Sequence, residues 1–191
     1  GPTLLGCLET MDVRGVEKSY PMRFPVQWVN RPNLDFRGFS GTVATGTVSK
    51  GQAVKILPSG ETATVKKITL FDQILSDAEA GTAVTIQLDR DVDISRGDLI
   101  VADSEPCEVA DQFEAEIFWM DIEPGYAGRE FIIKIGTSSV NARVTKIKHA
   151  IDVNTGNNAP SEKLSLNDCA VITLKTDRPI PFEPFSTAPA L

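Results

Sequence analysis

The amino-acid sequence predicts an all-β protein built as two consecutive β-barrels, the second incomplete at its C-terminal end. Three observations lead there. From Tyr20 onward the apolar residues fall in short alternating runs, the period of a half-buried strand and not of a helix. The runs are punctuated by Gly, Pro, Ser and Asn every 8 to 15 residues or so, and no helical stretch intervenes. With 191 residues and 41% hydrophobic content, the chain is large enough for two small domains with cores of their own.

The one helical signal comes first. Leu4, Leu5, Leu8 and Met11 share one helix face, which predicts a short helix over Pro2–Met11, and Asp12–Ser19 reads as a linker. A helix of about ten residues is marginal alone, so its stripe implies a partner domain that packs against it. Residues 1–20 are therefore assigned as a remnant helix and linker. Residues 21–105 are the first barrel, with strands expected at Phe24–Val29, Gly41–Val48, Ala53–Leu57, Thr62–Phe71, Thr82–Leu88 and Asp98–Val101. Six short strands without a helix favour a closed barrel, because closure removes exposed edges. Residues 106–191 form the second, with strands around Phe113–Trp119, Phe131–Ile135, Val140–His149 and Cys169–Leu174. Pro179, Pro181, Pro184 and Pro189 argue against a central strand beyond Arg178. Four strands are fewer than closure needs, and an unpaired edge is expected to be covered by the tail after Pro179 or by a second copy of the chain.

Charge and chemistry narrow the function. The net charge is −7, shared as −3 over residues 1–105 and −4 over residues 106–191, so neither half has the basic excess of a nucleic-acid footprint. Cys7, Cys107 and Cys169 form no C-x-x-C pair and read as reduced structural residues, which with the lack of a signal or membrane-spanning run places the protein in the cytoplasm. No G-x-x-x-x-G-K-[ST] phosphate loop is present, and the D-x-x-G runs at Asp12–Gly15 and Asp35–Gly38 are weak without it. A triad would depend on the single histidine, His149, which reads as a solvated strand end. Asp89, Asp91 and Asp93 alternate as a cation site might, but lack the Gly and distal Glu of a calcium loop and read as a solvated turn. Lys66-Lys67 and Arg143/Lys146/Lys148 are too sparse for a phosphate track. Trp28 and Trp119 lie in alternating runs and read as core or interface packing. No catalytic, metal-binding or cofactor-binding residue is assigned.

The segment Asn30–Phe39 stands apart. Read as a ten-residue loop, it mixes Arg31, Asp35 and Arg37 with Leu34, Phe36 and Phe39, the composition of interface anchors. Two readings stay open: contact with another domain or subunit, or a loop folded back over a barrel end.

The run Phe39–Val48 followed by Lys50–Ile56, with Arg37-Gly38 before it and Arg96–Val101 after, resembles the second domain of translation-type GTPases such as elongation factor Tu. Phe24–Gly41, Val92–Asp98 and Trp119-Met120 are similar, more narrowly, to the GTPase subunit of bacterial sulfate adenylyltransferase. That resemblance implies domain II-like and domain III-like barrels, with Gly1–Met11 closing a GTP-binding domain outside these residues and the last strands of the third domain also outside. It implies that GTP and Mg are held in that other domain, and that GTP hydrolysis drives synthesis of adenosine 5′-phosphosulfate from ATP and sulfate. The adenylyl transfer itself would belong to a separate subunit. The implied partners are the GTP-binding domain and that subunit, with no nucleic acid and no membrane. The alternative is an RNA-binding barrel fragment of a translation-factor GTPase.

Overall fold

The computed structural model describes residues 3–6, 20–33, 36–152 and 155–184. Residues 4–6 are helical; the rest of the predicted helix and the linker through Ser19, Cys7 included, lie outside the described residues. The chain divides into two compact units, one of Gly1–Cys107 with Glu183–Leu191, the other of Glu108–Phe182. Among the described residues no helix is long and apolar enough to cross a membrane.

The first unit contains β1 (Arg23–Pro25), β2 (Trp28–Asn33), β3 (Phe36–Thr42), β4 (Thr47–Ser49), β5 (Ala53–Leu57), β6 (Thr62–Leu70), β7 (Gln73–Leu75), β8 (Asp77–Glu79), β9 (Ala83–Leu88) and β10 (Leu99–Ala102). The antiparallel order is β1-β10-β5-β6-β9-β3-β2, with β7 added to β6 and β4 paired with β8. The first and last strands in this order are consecutive in the chain. β1 pairs with β10, Phe24 opposite Ile100, and after a two-residue step β2 pairs with β3, Trp28 opposite Ser40. The step itself is held on both sides, Val26 N–H donating to Asp98 O (2.9 Å) and Gln27 N–H to Ser40 O (2.9 Å). The sheet is thereby closed into a barrel, leaving few free edges.

Strand alternation sends Phe24, Phe39, Ile56, Ile68, Ile86 and Ile100 fully into the interior. Each such side chain contributes roughly 1.5–3 kcal/mol of burial. Gly41 faces inward where β1 crosses β3: a Cβ there would run into Pro25 O, with the Phe24 ring 3.0 Å away. Only glycine lets the two strands approach this closely.

The strands differ from expectation at two places. The predicted run Phe24–Val29 is two strands, because the chain changes partner at Val26-Gln27. The predicted run Gly41–Val48 is broken by Gly46 at φ +68, where Arg23 N–H donates to Thr45 O (3.1 Å). The described residues of the predicted loop Asn30–Phe39 are strand: β2 pairs with β3, with Asn30 opposite Gly38, Asn33 opposite Phe36, and a bulge between Asn30 and Asn33. Pro32 hid the strand in the sequence, yet it is tolerated because β2 pairs on one side only here.

The second unit contains β11 (Glu108–Phe118), β12 (Gly125–Tyr126), β13 (Glu130–Ile135), β14 (Ser138–Ile151), β15 (Asn158–Ala159), β16 (Lys163–Leu164) and β17 (Cys169–Phe182). The main order is β11-β17-β14-β13, with β15 on β14 and β12 paired to β16. All four expected strands are present and each runs longer than expected. One face carries Phe113, Ala115 and Ile117 from β11, Trp119 just after it, Phe131 and Ile133 from β13, Val144 and Ile147 from β14, and Ile172 and Leu174 from β17. Trp119 stands over Gly125, meets Phe131 edge-on at 5.7 Å, and donates its indole N–H to Glu123 O (3.0 Å).

The prolines exclude a central strand beyond Arg178 but not an edge one: β17 continues through Pro179 and Pro181, with Ile180 opposite Ala110 and Pro181 opposite Val109. Pairing of β17 with β14 runs only as far as Thr176. Past that residue the strand has one neighbour, so the missing N–H groups of proline break no ladder on the other side.

Candidate functional site

The hairpin β2–β3 splits the predicted site residues by parity. Odd residues of β3 point into the barrel and even ones point out. Phe39 is a fully buried core residue, so the expectation that it is an exposed anchor does not hold in this barrel. Arg37 lies on the same inward parity at the barrel end, 5.5 Å from the Phe39 ring centroid. Its Nη1 donates to Asp91 Oδ1 (2.5 Å), its Nη2 faces Asp93 Oδ1 (3.6 Å), and its buried Nε has no partner among the described residues. Phe36 points outward: its ring fills the space above Gly38, where a Cβ would lie 2.8 Å from the ring and 2.6 Å from the Thr85 methyl. Arg31 is exposed on β2. Leu34 and Asp35 lie outside the described residues.

The strand registers extend this outward face. Ile74 is opposite Thr69, Thr69 opposite Thr85, Thr85 opposite Ser40, and Ser40 opposite Trp28, so these five residues form one row across β7, β6, β9, β3 and β2. The ends of the row are apolar and open, Trp28 and Ile74 each 64% exposed, and the middle is a row of hydroxyls joined by Ser40 Oγ to Thr85 Oγ1 at 2.8 Å. Phe71, in the turn after β6, is 94% exposed at φ +51, a conformation that a bulky residue seldom adopts. Of the two readings of Trp28, core or interface packing, its exposure removes the first, although it shares a sequence parity with the core residues Phe24 and Val26. The partner change at Val26-Gln27 reverses the parity, so Val29 turns inward and Trp28 outward.

A cavity of about 240 Å³ adjoins this face at Gln87, where β9 ends, and is lined by Arg31, Arg37, Lys66, Arg90, Asp89 and Asp91. Four cations face two carboxylates, an excess of two positive charges on a chain of net charge −7. The Asp89, Asp91, Asp93 run is thus committed to protein partners: Asp89 Oδ1 accepts from Thr64 N–H (2.9 Å), and the other two face Arg37. Among the described residues no group of three or more His, Cys, Asp or Glu is placed to hold a metal ion. His149 is a half-buried strand residue opposite Val171, and Cys107 and Cys169 are half-buried.

The Asp91 carboxyl is held below the usual carboxylate range by the hydrogen bond from Arg37 and then by its charge, with Arg31 a smaller contributor. Asp89 is lowered chiefly by the Thr64 backbone N–H. A depressed folded-state pKa stabilises above the unfolded value, and that contribution is lost as pH falls through the folded value. Carboxyl ¹³C titration is expected to find both groups low. Arg37→Met should return Asp91 to the ordinary range and leave Asp89 where it was; an unmoved Asp91 would contradict the pairing.

With the geometry in place, the class is defined by the fold. The chain matches the structure of sup35 complexed with GDP at a TM-score of 0.84 over 100% of its length and 47% of that chain, at 20% identity. Residues 112–191 match the GTP-eEF1A C-terminal domain-like family. The fold of the chain is that of the matched part of the sup35 structure, two consecutive translation-factor-like β-barrels. Within that class the chain resembles the GTPase subunit of bacterial sulfate adenylyltransferase over nearly its whole length. It is 45% identical over 189 residues to sulfate adenylyltransferase subunit 1 of Sodalis glossinidius, covering 99% of this chain and 40% of that protein. It is 43% identical over 186 residues to the bifunctional enzyme NodQ of Rhizobium sp. (strain N33), covering 97% of this chain and 29% of that protein. The chain therefore spans less than half of the curated relatives it matches.

Proposed function

We propose that these barrels are the non-catalytic docking portion of a sulfate adenylyltransferase GTPase subunit, serving synthesis of adenosine 5′-phosphosulfate from ATP and sulfate coupled to GTP hydrolysis. In this reading GTP and Mg are bound by a domain outside these 191 residues, and adenylyl transfer is performed by a second subunit. The observation that carries it is the outward row on β7-β6-β9-β3-β2: aromatic and aliphatic side chains held open at its ends on a rigid sheet, beside a charged cavity. Switch segments that order around a γ-phosphate move neighbouring rigid domains, so such a surface transmits the nucleotide state without chemistry of its own. The partners are the GTP-binding domain and the adenylyl-transferring subunit.

The test is the affinity of the chain for the adenylyl-transferring subunit, measured by biolayer interferometry. Trp28→Ala and Phe36→Ala are each expected to weaken binding about tenfold or more, as aromatic anchors do, while thermal stability stays close to that of the parent chain. Unchanged affinity in both variants would remove this face from the interface. Calorimetry with GTP and Mg²⁺ should give no saturable heat; micromolar binding would contradict the assignment of nucleotide to another domain.

A further inference from the structure

We propose that the cavity at the end of β9 receives a carboxylate side chain from an acidic segment of a partner protein, which takes the place of Asp91 on Arg37 while neighbouring residues of that segment pack on Phe36 and Trp28. The inference rests on the docking reading of the same hairpin and specifies the chemistry of what docks.

Charge is the first argument. Arg31, Arg37, Lys66 and Arg90 outnumber Asp89 and Asp91 in the cavity, against the acidic balance of the rest of the chain. Electrostatic complementarity at such a spot selects an anionic partner and speeds its encounter. The second argument is the state of Arg37. It is held at the barrel end by Phe39, yet its carboxylate partners are open to solvent, Asp91 at 69% and Asp93 at 95% exposed. Exposed ion pairs contribute little, so exchanging Asp91 for another carboxylate costs little.

The third argument separates a protein segment from a free oxyanion or a phosphate chain. A dianionic group entering the cavity meets Asp89, whose position is fixed by the Thr64 N–H. A single carboxylate exchanging for Asp91 adds no net charge there. The cavity also adjoins the apolar face, since Gln87 lines it and lies two residues along β9 from Thr85, whose methyl sits with the Phe36 ring over Gly38. An acidic residue a few positions from an aromatic one therefore finds both its sites on one surface.

The test uses residues 1–191 and a synthetic peptide of three glutamates followed by Gly-Phe-Leu, titrated by NMR on the arginine Nε–Hε signals and the amides of β3 and β9. Saturable shifts at Arg37 and Gly38 are expected. Lys66→Glu combined with Arg90→Glu should weaken binding at least tenfold. Asp91→Asn should tighten it several-fold by removing the internal competitor, a gain that a purely structural Arg37–Asp91 pair does not produce. Lack of saturable binding, or affinities unmoved by these variants, overturns the proposal. So does preferential binding of inorganic sulfate or an oligouridylate at the same residues. If the adenylyl-transferring subunit still loses affinity with Trp28→Ala but not with the Lys66/Arg90 pair changed, the carboxylate proposal fails and the docking reading stands.

Discussion

Replacing Arg23 by methionine is expected to destabilise the first unit by about 3–5 kcal/mol, the range for breaking a buried ion pair from one side. Arg23 is a buried charged residue on the outer face of β1, opposite in parity to the core residue Phe24, its side chain 5% exposed. Its Nε and Nη2 donate to Glu183 Oε1 at 2.7 and 2.5 Å, and its Nη1 donates to Met22 O (3.0 Å) and Glu105 O (2.8 Å). Methionine fills similar space but leaves the Glu183 carboxylate, 12% exposed, without its counter-charge and strands two carbonyl groups. Arg23→Lys should recover little, since an ammonium cannot reproduce the planar fork. The double change Arg23→Met with Glu183→Leu should recover a large part, because the cost lies mainly in the orphaned charge. Urea unfolding measures all three. A loss below about 1 kcal/mol, within the range of exposed pairs, would show that the pair is solvated and idle.

Gly41→Ala is expected to cost about 3 kcal/mol, at the upper end of small-to-large changes in a packed core. The added methyl would overlap Pro25 O, a backbone atom of the strand that closes the barrel, and press on the Phe24 ring. Neither can retreat without parting β1 from β3. Gly51→Ala is the comparison: a Cβ there meets nothing within 4 Å, and the cost comes only from its φ of +84, roughly 1–2 kcal/mol. Thermal melts should rank Gly41→Ala clearly below Gly51→Ala. Equal losses would mean that ring closure at this point is looser than the strand registers indicate.

Much of the first barrel is legible in the sequence because its strands obey one physical rule. Val54 and Ile56, or Val84, Ile86 and Leu88, alternate with polar residues, and Lys50-Gly51 and Ser59-Gly60 mark the turns between them. What escapes is whatever depends on which strand is next door. Trp28 shares its parity with two core residues, and only the change of partner at Val26-Gln27 turns it outward. Pro32 and the charges around it resemble a loop, and only the one-sided pairing of β2 makes a strand acceptable there. Pro179 and Pro181 carry the same lesson in β17. The candidate site is half readable: Phe36 and Arg37 stand out by composition, and Phe39 belongs to the core beneath them. Lys66 and Arg90 lie 24 and 48 residues beyond Thr42, where the hairpin ends, and nothing local ties them to it. Pairing of β6 with β9 and β9 with β3 does so.

The central claim, that the outward face of the first barrel is a docking surface, is tested most directly by amide hydrogen exchange of the chain with and without the adenylyl-transferring subunit. The account predicts added protection in β2, β3 and the end of β9, centred on Trp28, Phe36 and Gln87. Complex formation with protection confined to Glu108–Phe182, and none on the hairpin, would contradict it.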